Sequence, residues 1–315
     1  MRKTVTSFVI VCILSLFSTP GLFAGEQQTN QKTKKPYEIG VIILSREHIF
    51  FNIIEDNMEA RATERSVSLI CVDGQLDSNI QYNQVQDFIT RKVDAIVIAP
   101  ASNAGSAPAI KLAEDAKIPI FTLNLSSDGQ PTAHVGTDDL LGGKIAADFA
   151  AVVLGGKGTA AIITVEHFPT CKAREKGFVE TIAKYPGIEI VAIGDYLGDA
   201  NKAFSVTQDF LTNHPDLDLI FATGDPAAVG ALSAIKAGGK RTRIIGYDGN
   251  PEAVAAIKDP EDGQHWIADV AQDAKGTGIR MVDVVVDYLD TGRTDSLIEI
   301  DPYLVDMEYI KAKGL

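Results

Sequence analysis

The sequence predicts an α/β protein made of two similar doubly wound parallel-sheet lobes, and three observations carry that prediction. Short β-rich apolar runs alternate with helical patterns from residue 38 onward. The alternation starts afresh near residue 159, and one strand–helix–strand segment of the first series is echoed in the second. Parallel strands covered by helices on both faces read as unbroken apolar runs, which is the pattern here.

The elements follow in order. Strands are expected at 38–44 ("EIGVIIL"), 67–72, 94–100 and 118–124, with helices over 50–64, about 79–91, 104–116 and 138–154. Asp138 is the expected N-cap of the last of these. The second series places strands at 159–165, 188–194, 218–223 and 243–248, with helices at about 172–184, 201–213, 226–237 and 251–258. A strand at 265–271, a helix over 275–290 and a closing strand pair near 297–306 complete the chain. The echo joins residues 94–124 to 218–248, segments of equal length that both run Asp, apolar strand, turn, helix, apolar strand, polar residue. Any two strand–helix–strand units share some of this pattern because burial dictates it, but the equal spacing favours a pseudo-repeat.

The first residues are set apart from the fold. Arg2 and Lys3 precede the apolar run "VTSFVIVCILSLF", followed by small residues near Ala24 and Gly25. That is the layout of an export signal spanning 1–24, cleaved near Ala24. As a membrane anchor the run is short, and it ends at Pro20 and Gly21. Residues 25–36 are polar and read as a flexible start of the mature chain. Cys12 leaves with the signal, so Cys71 and Cys171 remain, and two buried thiols are expected in preference to a disulfide. With 29 basic and 42 acidic residues the net charge is −13, so neither nucleic acid nor anionic lipid is an expected partner.

In open parallel sheets ligands bind outside the carboxyl ends of the strands. The residues there include Ser45, His48, Phe50, Phe51, Asn103 and Asn124 in the first lobe, and Arg174, Asp225, Asp248 and Gln272 in the second. Planar amides, carboxylates and a guanidinium hydrogen-bond hydroxyl groups in pairs, and an aromatic face covers a C–H face, so the set suits a small sugar or polyol. Each residue also has a plainer reading: Asp225 as a helix cap, Asp248 as a turn former, Arg174 as a surface charge, His48 as a loop residue. Within "HIFFNII", Phe51, Ile54 and Met58 share one helical face and suit the core. That leaves Phe50 to lean toward the strand ends, although both rings can meet a ligand.

Catalytic and cofactor motifs are absent: there is no H-E-x-x-H, G-x-S-x-G or G-x-x-x-x-G-K-[ST]. "GKGTAA" (156–161) lies after a helix and before a strand, the reverse of a dinucleotide loop. The five histidines show no ligand spacing. No enzyme activity, cofactor or metal site is expected.

The chain from about Tyr37 to Leu315 resembles the periplasmic sugar-binding proteins of the ribose-binding type, which feed ABC transporters. The likeness is carried by "FF" (50–51), "LLGGKIAADF" (140–149), "KAREKGF" (172–178), "LTNHPDLDLIFATGDPAAVGAL" (211–232), "IIGYDGNPE" (244–252) and "VAQD" (270–273). It implies the type I periplasmic binding protein fold: a first lobe of 37–138 plus 273–301, a second of 139–272 plus 302–315, and a three-segment hinge. It also implies an exported monomer whose ligand is handed to a membrane permease. The family's stacking aromatics fall on Phe50 and Phe51, its pocket arginine on Arg174, its aspartate on Asp248 and its amide on Gln272.

Several positions depart from the ribose pattern: Asn124-Leu125 replaces Asp-Arg, and Ala99, Gly224 and His48 each replace an asparagine. These losses point to a hexose, sugar alcohol or modified sugar in place of ribose. On this reading Arg174→Ala weakens binding and leaves the melting of the empty protein nearly unchanged. Two other outputs fit the same fold: a sensor docking on a chemoreceptor or kinase, and a lac-repressor-like effector domain. The second lacks a DNA-binding headpiece in residues 1–36.

Overall fold

The computed structural model describes residues 35–47 and 49–315. The expected export signal and His48 lie outside the described residues. Pro36–Leu315 forms one compact unit.

Two six-stranded sheets organise that unit. The first has the order β11-β5-β4-β3-β1-β2, and the second β12-β10-β9-β8-β6-β7. The first series comprises β1 (Glu38–Ile43), α1 (Ile49–Arg65), β2 (Ser68–Asp73), α2 (Ser78–Arg91), β3 (Ala95–Ile98), α3 (Asn103–Asp115), β4 (Ile120–Leu123) and β5 (Ala133–Thr137). The second comprises α4 (Asp139–Leu154), β6 (Lys157–Thr164), α5 (Pro169–Ile182), β7 (Gly187–Asp195), α6 (Ala200–Asn213) and β8 (Leu219–Ala222). It continues through α7 (Asp225–Ala237), β9 (Arg243–Asp248), α8 (Pro251–Lys258) and β10 (Trp266–Ala271). Then come α9 (Ala274–Thr291), β11 (Leu297–Ile300), β12 (Tyr303–Asp306) and α10 (Met307–Lys313).

Each sheet is a doubly wound array with the strand order 2-1-3-4-5 plus one late strand. The echoed segments become β3–α3–β4 and β8–α7–β9, and they occupy the same central places in the two sheets. The sequence reading of the chain's end needs correction. β11 and β12 do not pair with each other: β11 runs parallel to β5, and β12 runs antiparallel to β10 in the other sheet. The chain passes between the sheets at Asp138, at Gln272–Asp273 and at Asp301–Pro302. β5 and α10 are further elements that the sequence pattern does not announce.

Asp138 caps α4 as expected, its Oδ1 accepting the Leu141 amide at 2.8 Å. Phe51, Ile54 and Met58 are buried together in the first lobe's core, where Met281, Val282 and Val285 of α9 join them. Cys71 and Cys171 are free thiols, the first half-buried and the second buried. Among the described residues no helix is long and apolar enough to cross a membrane.

Candidate functional site

The polar centre of the molecule is built around Arg174, one and a half turns into α5 and only 6% exposed. Its placement begins with small residues. A side-chain carbon at Gly143 of α4 would stand 1.9 Å from the Arg174 carbonyl oxygen, and one at Gly177 of α5 would stand 2.1 Å from that of Leu140. Only glycine at both positions lets the two helices touch backbone to backbone. That contact brings Asp139, at the head of α4, against the guanidinium.

Arg174 Nε donates to Asp139 Oδ1 (2.7 Å), and Nη1 donates to the Thr223 carbonyl (2.8 Å) and to Asp248 Oδ1 (3.2 Å). The guanidinium lies 3.8 Å over the Tyr247 ring, whose hydroxyl donates to Asp139 (3.3 Å). Burial opposes the charge on Arg174, but Asp139, Tyr247 and Asp248 hold it protonated, with its pKa well above the usual value. Burial pushes the Asp139 and Asp248 carboxyls up, and Arg174 works against that rise.

These pairs overturn one expectation from the sequence. A solvent-facing arginine can be removed at little cost to the fold. This one neutralises buried carboxylates, and removing one partner of a buried pair leaves an uncompensated charge. Arg174→Ala must therefore destabilise the empty protein.

Asp248 ends β9 with φ at 124°, a left-handed conformation for a non-glycine residue, and Gly249 follows at 77°. Its Oδ1 also accepts from Gln272 Nε2 (2.8 Å), and its Oδ2 from the Asp225 amide (3.2 Å). Gln272 Oε1 in turn accepts from Thr137 Oγ1 at the end of β5 (2.8 Å), tying the cluster to the first sheet. Phe50, half-buried, stands edge-on to Phe51 with ring centroids 5.3 Å apart. Phe50, Ile53, Asp248, Gly249, Gln272 and Tyr303 are among the residues around a cavity of about 170 Å³. A larger groove of about 460 Å³ runs along α8 and is bordered mainly by exposed residues such as Pro251 and Lys258, with no buried polar group.

Of the residues singled out in the sequence, the structure thus gathers Arg174, Asp248, Gln272 and Phe50. Asp225 sits directly beneath them, fully buried. Phe51 is in the core. Ser45 is buried and accepts the Glu47 amide (3.1 Å), and Asn103 Nδ2 donates to Ser126 Oγ (2.7 Å). Asn124 adopts a left-handed conformation with φ at 59°. Among the described residues these three share no hydrogen bond with the Arg174 cluster. Asp139, Tyr247, Thr223 and Thr137 belong to the cluster without having drawn notice in the sequence. An aspartate beside the α4 cap and a tyrosine beside Asp248 are its only sequence signals.

Elsewhere, potential ligand atoms of Glu55, Glu59 and Cys71 lie within 4.8 Å of one another. Arg46 already engages Glu55 (2.7 Å), and burial pushes the Cys71 thiol up to about 12, so the group is a salt-bridged patch.

Residues 39–294 match the family model described as a periplasmic binding protein domain. The chain is 33% identical over 265 residues to the ribose import binding protein of Bacillus subtilis, covering 82% of this chain and 85% of that protein. A solute-binding protein from Actinobacillus succinogenes with bound D-allose superposes with a TM-score of 0.79 at 27% identity, covering 88% of this chain and 99% of that one. A Bacillus halodurans solute-binding protein with bound myo-inositol gives 0.77 at 29% identity, covering 89% and 98%.

Proposed function

The chain belongs to the periplasmic binding protein family, among the sugar-binding proteins of the ribose-binding type, and from that premise we propose that it captures a monosaccharide or related polyol outside the cytoplasm and delivers it to an ABC transporter permease. One observation carries the reading. A half-buried aromatic of the first lobe, Phe50, lines the same cavity as Gln272 and Asp248, and Asp248 accepts from both Gln272 and Arg174. A ring for a C–H face, opposite a carboxylate and an amide for hydroxyl groups, is the chemistry of carbohydrate capture. The protein acts as an exported monomer without catalytic activity. Its ligand stabilises the closed state by touching both lobes.

The relatives named above carry ribose, D-allose or myo-inositol in their descriptions, and within that range this chain is read as selecting something other than ribose. Ala99 is completely buried and its side chain offers no hydrogen-bonding group. At Gly224 an added side-chain carbon would stand 3.0 Å from the Tyr196 hydroxyl and 3.5 Å from Asp248 Oδ2, a tight fit, so an asparagine there would have to displace the tyrosine. Each absent buried hydrogen bond removes roughly 1–3 kcal/mol from recognition of the sugar that needs it. Calorimetric titration with a panel of pentoses, hexoses and cyclitols tests this. Sub-micromolar binding of ribose alone overturns the specificity, and binding of no sugar overturns the function.

A further inference from the structure

Beneath the Asp248 turn lie two aspartates with no water contact, Asp225 and Asp269, each 0% exposed. Asp269, in the middle of β10, accepts from the Gly249 amide (2.8 Å) and from the Trp266 indole (3.3 Å). Asp225, the first residue of α7, accepts the Asn250 amide on Oδ2 (2.9 Å). Its other oxygen, Oδ1, is buried and meets no donor among the described residues. Because they accept from successive backbone amides the two carboxylates are neighbours, and as carboxylates both can only accept.

A buried carboxylate oxygen without a donor, next to a second carboxylate, is strongly disfavoured, and two such groups do not both stay ionised. One proton resolves the conflict. Asp225 becomes a carboxylic acid whose O–H donates to Asp269, and Asp269 keeps its acceptors for Gly249 and Trp266. The pair then supplies acceptors for two successive amides, Gly249 and Asn250, of a turn in which Asp248 and Gly249 are both left-handed. A conformation of that kind persists only when its surroundings over-determine it.

We propose that Asp225 and Asp269 share one proton and thereby staple the Asp248–Gly249–Asn250 turn, acting as positioning residues that aim the Asp248 carboxylate at the cleft without touching the ligand themselves. Only the consequence for ligand capture rests on the sugar-binding reading; the shared proton rests on the geometry of the pair.

The surroundings agree. The titratable groups facing the pair are Asp248 at the end of β9 and Tyr196 from the loop before α6, and behind these stand Arg174 and Cys171 on α5, Arg174 against Asp248 and both against Tyr196. Arg174 is the one cation among them, and Asp139 and Asp248 engage it. Burial, then the charges of Asp269 and Asp248, push the Asp225 carboxyl well above its ordinary value, and burial raises Asp269 to about 7. A carboxyl raised in the folded state contributes stability that is present at low pH and lost as pH climbs through its folded value.

The test uses the ligand-free mature chain, so failure of the sugar reading leaves it untouched. Wild type, Asp225→Asn and Asp225→Ala are compared from about pH 6 to about pH 9 by thermal unfolding, infrared spectroscopy and amide exchange. In Asp225→Asn the new side-chain amide donates to Asp269 and its carbonyl accepts from Asn250, so this variant carries the pairing permanently. Wild type should show a carboxylic-acid stretch at neutral pH that is missing from Asp225→Asn. The wild-type melting temperature and protection of the Gly249 and Asn250 amides should fall toward alkaline pH relative to that variant, and Asp225→Ala should lose the protection throughout. An identical infrared spectrum in wild type and Asp225→Asn overturns the proposal. So does a wild-type minus Asp225→Asn difference that is flat with pH.

Discussion

Thr137 and Gln272 are joined across the hinge: the Thr137 hydroxyl, at the last residue of β5 in the first sheet, donates to the Gln272 amide oxygen just past β10 of the second, at 2.8 Å. The same amide donates to Asp248, so a single side chain links the hinge to the polar centre. Thr137→Val leaves the Gln272 oxygen without this donor and should lower the unfolding free energy by about 1 kcal/mol in a urea titration. If Gln272 fixes the hinge angle, ligand association and dissociation rates, followed by tryptophan fluorescence, should change together.

Arg174→Ala should cost about 3–5 kcal/mol of stability at neutral pH, since Asp139 and Asp248 are left buried without their cation. The deficit should shrink as pH falls and those carboxyls take up protons. Denaturant unfolding at two pH values measures both effects, and a pH-independent loss contradicts the ion-pair account.

The two adjacent rings should separate cleanly. Phe51→Ala empties a core position that is 5% exposed, and should destabilise by about 3–5 kcal/mol. Phe50→Ala, at the cavity, should change stability far less and weaken sugar affinity by at least about tenfold, the loss of about 1.4 kcal/mol. Equal stability losses would place both rings in the core.

His134 sits on β5, with Nδ1 2.9 Å from the Thr122 hydroxyl, and burial lowers its pKa to about 4. Its folded value is depressed, so the stability held by the neutral ring is present above the unfolded value near 6.5. It is lost as pH falls toward about 4, roughly 3 kcal/mol in all. His134→Asn should flatten that limb of the pH–stability curve.

Gly143→Ala should be among the most damaging small substitutions. The added methyl meets the Arg174 carbonyl at 1.9 Å, an immovable backbone atom, so α4 and α5 must part. A loss of about 1–3 kcal/mol is expected, with sugar binding falling further than stability because Arg174 moves with its helix.

Much of this architecture is legible in the sequence because burial writes it there. Parallel strands covered on both faces leave apolar runs, and Asp138 ahead of an alanine-rich stretch marks a helix start. β5 escapes notice because His134, Gly136 and Thr137 break up its apolar character. The fate of β11 and β12 is hidden for another reason: neighbours in sequence suggest a pair, and only the partners β5 and β10, far away along the chain, decide otherwise. At the site, Phe50, Asp248 and Gln272 can be picked out by their position after strands. The role of Arg174 as a buried counter-charge depends on Asp139 and Tyr247, whose approach is set by two glycines on different helices. Asp269 does leave a trace, a lone charge inside the apolar run "WIADVA", which in a buried strand demands a partner.

The interleaving of the lobes has a consequence for how the chain comes to be folded. The first lobe's core takes in Met281, Val282 and Val285 of α9, and β11 (Leu297–Ile300) covers the edge of β5. During synthesis the amino-terminal lobe therefore lacks a wall until almost the whole polypeptide has been made. That lobe cannot close its core until α9 and β11 are available, so its completion waits on segments made after most of the second lobe.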